Sequence, residues 1–281
     1  MRCLFCKEDS SNTKSIEHIV PESLGNKTFL LPVGYVCDKC NNYFARKVEK
    51  PFLEQLEMKL LRFQECIPNK KNKIPMVDGV WNGTYPIKIK REIKDEQIDN
   101  ELIIPPELIE QILFNESSPM HVIIPAFTNQ NQIECNSVVS RFIAKIALEA
   151  LAEKLKDIEN SLEELIDDKH FDLIRNHARQ GTTPNWPCHI RRIYDFDKKW
   201  NYSDGVIGQM VHESDFLPIN FDVNTLNNSS CIYAELYFVI ALWGMEFTIN
   251  MAGPEIESYE LWLKEHNYAS PLHYGKNQGI L

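Results

Sequence analysis

Four cysteines near the amino terminus stand in two closely spaced pairs. Cys3 and Cys6 form the first pair, Cys37 and Cys40 form the second, and two residues separate the cysteines of each pair. Thiolates at this spacing lie close enough to share one tetrahedral Zn²⁺ ion. The alternative is two unrelated thiol pairs. Because two such pairs in one segment are typical of zinc sites, we expect the four cysteines to bind one structural Zn²⁺.

The insert between the two pairs carries residue types suited to hydrolysis. It contains Ser15–Asn26, and Asn41 directly follows the last cysteine. The carboxylate of Glu17 and the amide oxygen of Asn41 are hard ligands that suit Mg²⁺ or Mn²⁺. The imidazole of His18 titrates near neutral pH and can take a proton from water. Phosphodiester hydrolysis needs both an activated water and a cation that offsets the developing charge.

This pattern resembles the HNH endonuclease family of the ββα-metal type, which includes phage junction resolvases with the same four-cysteine zinc knuckle. The resemblance covers roughly the first fifth of the chain. It implies that Glu17 is an acidic ligand of a catalytic divalent cation, His18 the general base and Asn41 the second metal ligand. It also implies DNA as the substrate and, by analogy with many family members, a role in restriction or phage defence.

The pattern departs from the family at one position. The family usually has a middle asparagine shortly before the second cysteine pair, and the stretch Leu30–Val36 contains none. Asn26 is the nearest candidate for its supporting role. Glu17 and His18 are adjacent, so a regular strand would point their side chains to opposite faces. We therefore expect a twist or a bulge at this strand end.

A second interpretation is a non-catalytic zinc module that binds nucleic acid or a protein partner. In that case Glu17 and His18 occupy a solvated turn. The missing middle asparagine favours this interpretation, whereas Asn41 disfavours it, because a purely structural knuckle does not need an asparagine there.

Charge is distributed unevenly along the chain. The net charge of −10 argues against a protein that coats nucleic acid through bulk positive charge. Residues 1–94 nevertheless hold 17 Lys and Arg against 11 Asp and Glu, a balance of +6, and the remainder has a balance of −16. The acidic remainder suits contact with a protein partner or an oligomer. The helix after the last cysteine carries cations that could contact phosphates or simply be solvated: Lys39, Arg46, Lys47 and Lys50.

The 281 residues contain no apolar run long enough to span a bilayer, and the amino terminus has no apolar run of signal-peptide length. We therefore expect a cytoplasmic protein without membrane contact. In a reducing compartment, paired cysteines are metal ligands more often than disulfides. The other four cysteines lack metal-like spacing and are predicted to be buried apolar side chains: Cys66, Cys135, Cys188 and Cys231.

Hydrophobic periodicity predicts the elements that position these residues. A helical region runs from Asp38 to about Glu65, and Pro51 is expected to break it. Further helices are predicted at 105–114, 138–155 and 161–179, the last ended by Gly181. Strands are predicted at 74–77, 85–93, 121–127 (buried), 190–196, 209–216 and 232–250, with turns at Asp78-Gly79, Asn82-Gly83 and Trp243-Gly244.

These elements predict an α+β protein in two parts. The first part is a ββα-metal, treble-clef-like zinc and nuclease module at residues 1–66. A polar connector follows at 69–73, and a mixed α+β accessory or regulatory region occupies residues 74–281.

Overall fold

The computed structural model describes residues 1–95, 97–109, 121–181, 185–201, 207–224 and 230–274. Helices and antiparallel sheets both occur, so the predicted α+β class is confirmed. The chain divides into two units, one formed by residues 1–20, 26–52 and 132–281 and the other by residues 21–25 and 53–131. The predicted regions 1–66 and 74–281 do not coincide with these two units, and that division stays a prediction.

A short antiparallel hairpin follows the first cysteine pair. One β-bridge joins His18 to Leu30, and the chain bends at once at Ile19 and Val20. The hairpin is therefore held by few backbone bonds and needs support from side chains. The backbone bonds beside the bridge run from the Ile19 amide to the Phe29 carbonyl at 3.1 Å and from the Leu31 amide to the Glu17 carbonyl at 3.0 Å.

The helical region after the hairpin is continuous across Pro51. Helix α1 (Asp38–Phe44) passes through a π-helical turn at Ala45–Glu49 into α2 (Lys50–Leu53), and α3 spans Leu56–Gln64. The prediction that Pro51 breaks the helix is wrong, because the interruption falls at residues 54–55. A π-helical turn changes the spacing of the backbone hydrogen bonds. Pro51, which has no N–H to donate, lies two residues after the last residue of that turn.

A four-stranded antiparallel sheet forms most of the second unit. Its order is β3-β2-β1-β4, and it is built from β1 (Val77–Trp81), β2 (Tyr85–Lys94), β3 (Gln97–Ile103) and β4 (Val122–Ile123). The turn at Asn82-Gly83 is confirmed by positive φ at both residues. The turn predicted at Asp78-Gly79 is wrong, because Gly79 lies inside β1. A Cβ there would be 2.4 Å from Cδ1 of Ile89, so the glycine permits close packing.

Two further predictions for this unit are changed by the structure. The buried strand predicted at 121–127 is reduced to β4, and Ile123 is exposed. The edge strand β3 was not predicted, because its polar sequence QIDNELI lacks a buried face. Of the helix predicted at 105–114, residues 106–109 are helical and 110–114 lie outside the described residues.

The first unit combines helices with a second antiparallel sheet, in the order β5-β10-β9-β8. Its helices are α4 (Ser137–Lys154), α5 (Ser161–Asp167), α6 (Asp172–Gln180), α7 (Glu257–Glu265) and α8 (Pro271–Tyr274). Its strands are β5 (His189–Arg192), β6 (Lys199–Asn201), β7 (Ile207–Gln209), β8 (His212–Asn224), β9 (Ser230–Leu242) and β10 (Met245–Asn250). Among the described residues, no helix is both long and apolar enough to cross a membrane.

Both faces of this second sheet are covered. On one face, the ring of Phe52 stacks on Phe142 of α4 at 3.9 Å between centroids and also contacts Phe247 of β10. On the other face, Tyr237 packs against Tyr259 of α7. The sheet therefore fixes α4 in the interior of the unit, where Phe142 and its apolar neighbours are fully buried.

The helix predicted at 161–179 is divided in two. Asp168 interrupts it, because its carboxylate accepts a hydrogen bond from the His170 amide at 2.9 Å and caps a new turn. Gly181 ends α6 with φ +67°, as predicted. The turn at Trp243-Gly244 is also confirmed, with φ of +49° and +80°.

The cysteines outside the paired motif behave differently from the prediction. Cys135 and Cys188 are joined in a disulfide, and Cys135 is exposed, so their description as separate buried apolar side chains is wrong. Their separation of 53 residues gave no local signal of this pairing. Cys66 is half-buried, and the side chain of Cys231 lies outside the described part.

We expect Gly244→Ala to lower the free energy of unfolding by about 3 kcal/mol or more, because the new Cβ would lie 2.1 Å from the Tyr194 carbonyl oxygen. Gly83→Ala is the matched control. Its φ is also positive, at +74°, but its Cβ would meet open space, so only about 1 kcal/mol of backbone strain is expected. Urea unfolding of both variants measures the difference, and equal losses would contradict the steric argument.

Candidate active site

The four paired cysteines form one cluster. Their sulfur atoms all lie within 4.8 Å of one another, and the Sγ atoms of Cys6 and Cys37 are 3.7 Å apart. Zinc–sulfur bonds of about 2.3 Å in a tetrahedron require sulfur–sulfur distances of about 3.8 Å. The donor set and its spacing therefore fit a Zn²⁺ ion held by Cys3, Cys6, Cys37 and Cys40.

Backbone hydrogen bonds close the first cysteine turn and reach two of the sulfur atoms. The Lys7 amide donates to the Cys3 carbonyl at 2.9 Å, and Lys7 adopts a positive φ of 63°, which closes the first turn tightly. The Cys37 amide donates to Sγ of Cys3 at 3.3 Å, and the Cys40 amide donates to Sγ of Cys37 at 3.4 Å. Such N–H groups stabilise thiolates over thiols.

The thiols strongly influence each other's ionisation. A hydrogen bond from Cys40 lowers the pKa of the Cys3 thiol to about 4, while the same bond raises the pKa of Cys40. Burial raises the pKa of Cys6 to about 11. Four adjacent thiols cannot all lose their protons unless a cation neutralises them, so the cluster has the chemistry of a metal site.

Helix α6 fixes the first cysteine turn through a buried arginine. Nε of Arg175 donates to the Leu4 carbonyl at 2.8 Å, and Nη2 donates to the Leu165 carbonyl at 2.9 Å. Lys7 adds an ion pair with Asp172 at 2.7 Å. The knuckle is thus anchored by residues far along the chain.

Glu17 lies in a buried ion cluster. Its side chain is 6% exposed, and Oε1 is 2.5 Å from Nζ of Lys145, which is fully buried in α4. The same ammonium group contacts Glu49 at 2.8 Å and Glu149 at 3.0 Å, and it donates to the His18 carbonyl at 3.2 Å. The predicted metal ligand is therefore also the partner of a buried lysine.

The charges in this cluster are strongly coupled. Burial by itself would lower the pKa of Lys145, but the three carboxylates outweigh it and raise that pKa well above its ordinary value. Burial raises the pKa of Glu149 well above its usual range. These carboxylates therefore favour the protonated form of Lys145 beside Glu17.

His18 and Glu17 face different environments. His18 is half-buried, whereas Glu17 is buried against Lys145. This agrees with adjacent residues on opposite faces of an extended segment. The bend at Ile19 and Val20 ends that segment directly after the bridge at His18.

Asn41 lies beside the segment that carries Glu17. Its Nδ2 is 3.5 Å from the carbonyl oxygen of Ile16, the residue before Glu17. Asp38, in the first turn of α1, accepts from the Ser15 amide at 3.0 Å. Contacts of Asp38 and Asn41 therefore join the start of α1 to residues 15–16.

Asn26 braces the hairpin from inside. Only 1% of it is exposed, and its Nδ2 donates to the carbonyls of Val20 at 2.6 Å and Phe29 at 3.0 Å. Its Oδ1 accepts from the amides of Thr28 and Phe29. His212 of β8 contacts the same oxygen at 3.3 Å and stacks on the Phe29 ring. Asn26 thus holds the loop of the hairpin closed, and its supporting role in a nuclease site stays a prediction.

A cavity of about 1020 Å³ lies along α1. Lys39, Tyr43 and Arg46, which lie on one side of the helix, line it together with Arg179. The half-buried Cys6 and Cys37 also line it, so the groove runs past the cysteine cluster.

Comparison with known proteins gives one match. Residues 3–57 match the family model described as HNH endonuclease. This range contains the four paired cysteines and Glu17, His18, Asn26 and Asn41. No curated protein and no solved structure matches the chain. The resemblance inferred from the motif is confirmed over these residues, and it supports nuclease-type activity and a nucleic-acid substrate.

Sequence reasoning missed Lys145 and Glu149. Both lie in a run of α4 whose neighbours are almost all apolar, from Phe142 to Ala152. The prediction for this helix did not consider the lysine and the glutamate four residues apart, and α4 is buried on every side there. An isolated opposite-charge pair within an apolar helix was the available signal.

We expect Cys37→Ser to lose stoichiometric zinc and to unfold the segment around the knuckle, because a structural zinc ion contributes folding free energy. Zinc content and protease resistance of residues 1–52 are the measurements. Cys66→Ser, which changes a cysteine outside the cluster, is the control and retains both properties. A folded, zinc-loaded Cys37→Ser protein would refute the assigned ligand set.

Proposed function

We propose that the protein is a metal-dependent endonuclease that hydrolyses phosphodiester bonds in DNA. The observation that carries this proposal is the position of the Asn41 amide beside Ile16, directly before Glu17 and His18, within the segment that matches the HNH endonuclease family. The four-cysteine cluster supports it, since a zinc ion there would fix α1 relative to the hairpin.

Glu17 and Asn41 are the proposed ligands of the catalytic cation. Carboxylate and amide oxygens suit Mg²⁺ or Mn²⁺ and leave coordination positions for phosphate and water. When bound, such a cation offsets the negative charge that develops on the phosphate. The adjacency of the α1 start to residues 15–16 supports this ligand pair.

His18 is the proposed general base. The residue is half-buried, and its backbone is held by the bridge to Leu30 and by the bond from Lys145. An imidazole at this position is the proposed acceptor of the proton from the attacking water. Asn26 would support His18 indirectly, by keeping the hairpin loop closed.

The groove along α1 is the proposed contact for the DNA backbone. Its lining holds three cations, Lys39, Arg46 and Arg179, and three acidic residues, Glu8, Asp9 and Asp38. The three cations are the proposed phosphate contacts, because Lys and Arg neutralise phosphates. A cytoplasmic role in restriction or phage defence belongs to the same proposal. So do contacts of the acidic C-terminal region with a protein partner or a second copy.

A non-catalytic zinc module is the second candidate. The ion pair between Glu17 and Lys145 favours it, because a carboxylate already neutralised by a buried ammonium is a weaker ligand for a second cation. In that case the module would bind nucleic acid or a protein partner without cleaving anything.

We expect His18→Ala to reduce cleavage of supercoiled plasmid by about 100-fold or more in Mg²⁺ or Mn²⁺, because the general base is lost. His170→Ala is the matched control, since the side chain of His170 is 91% exposed and lies on the turn before α6. Absence of nicking by the wild type in either metal would reject the nuclease in favour of the binding module. Equal nicking by the His18→Ala protein would reject His18 as the general base.

We expect Arg46→Ala to weaken DNA binding similarly for all sequences. Each lost phosphate contact lowers the slope of log affinity against log salt by about 1. Lys169→Ala, on the turn before α6, removes a positive charge outside the groove and is the control. Binding titrations at several salt concentrations measure both slopes, and an unchanged slope for Arg46→Ala would exclude this groove as the DNA contact.

A further inference from the structure

We propose that Lys145, which lies outside the matched residues 3–57, is a positioning residue of the nuclease site that holds Glu17 and the His18 backbone in their working orientation. This inference rests on the proposed function. It assigns a role in the chemistry to α4, a helix of the region expected to be accessory.

One ammonium group contacts both proposed functional residues. Nζ of Lys145 is 2.5 Å from Oε1 of Glu17 and 3.2 Å from the carbonyl oxygen of His18. Those two contacts fix the carboxylate and the peptide unit next to it. A carboxylate that ligates a metal is commonly oriented by a partner bonded to it in this way.

The same group also reaches the helix that carries Asn41. Glu49 lies about two turns beyond Asn41 on the continuous helical segment, and its carboxylate is 2.8 Å from Nζ of Lys145. Lys145 therefore joins the two elements that bear the proposed cation ligands. Its contact with Glu149, at 3.0 Å, lies within α4 and reaches neither of these elements.

Stability alone does not account for this lysine. Its side chain is fully buried in α4, and Phe142 and Ile146 beside it are also fully buried. Replacing a buried ion cluster with apolar side chains of similar volume is often neutral or stabilising. Lys145 donates hydrogen bonds to Glu17 and to the His18 carbonyl, which an apolar residue cannot do.

The test measures cation binding separately from cleavage. Mn²⁺ is titrated into the zinc-loaded, full-length protein without DNA, and free Mn²⁺ is followed by electron paramagnetic resonance. Removing the positive charge would by itself tighten cation binding, but the loss of the orientation of Glu17 outweighs this effect. We therefore expect Lys145→Met to weaken Mn²⁺ binding by about 10- to 100-fold. Glu149→Gln is the matched control, because it changes the same buried cluster but leaves the contact of Lys145 with Glu17, so wild-type affinity is expected.

Folding is checked by zinc content and circular dichroism. If Lys145→Met does not fold, the double variant Lys145→Met/Glu149→Met removes the carboxylate left unpaired in α4, and the same weakening is expected. Unchanged or tighter Mn²⁺ binding in a folded variant would overturn the positioning role. So would equal weakening by Glu149→Gln, since that result indicates a general effect of the cluster.

Wild-type protein and Glu17→Gln separate this inference from the proposed function. If the wild type cleaves plasmid and loses Mn²⁺ binding on Glu17→Gln, the proposed site stands, and the Lys145 variants decide the inference alone. If the wild type neither cleaves nor binds Mn²⁺ through Glu17, the proposed function fails and the role of Lys145 fails with it.

Discussion

A buried ammonium group must be surrounded by acceptors, because leaving it uncompensated costs several kcal/mol. Lys145 meets this requirement with carboxylates from three segments that are distant in sequence: the hairpin, the π-helical turn after α1, and α4 itself. The three segments therefore come together at the Lys145 ammonium group. Because α6 packs on α4, the same arrangement brings Arg175 to the first cysteine turn.

The segment between the cysteine pairs has little regular structure of its own, so polar contacts have to hold it. The sulfur cluster fixes its two ends, Lys145 fixes its middle at Glu17, and Asn26 closes its loop. Each contact restrains a different part of the hairpin. A site built in this way needs no long β-ladder to keep its side chains in place.

Local features could be predicted from the sequence, and long-range ones could not. The CxxC pairs, the turn at Trp243-Gly244 and the end of α6 at Gly181 depend on neighbouring residues and were confirmed. The helix break predicted at Pro51 was wrong, because the spacing of apolar residues does not reveal the π-helical turn before it. The pairing of Cys135 with Cys188 and the burial of Lys145 depend on which elements pack together, which one sequence does not reveal.

During translation, the hairpin is synthesised long before its contact partner Lys145. A ribosome completes the whole segment that matches the HNH family well before it reaches Lys145, which follows His18 by 127 residues. Until α4 emerges, the Glu17 carboxylate has no lysine to neutralise it and stays hydrated. All four paired cysteines are synthesised early, yet the hairpin between them reaches its final form only late in translation.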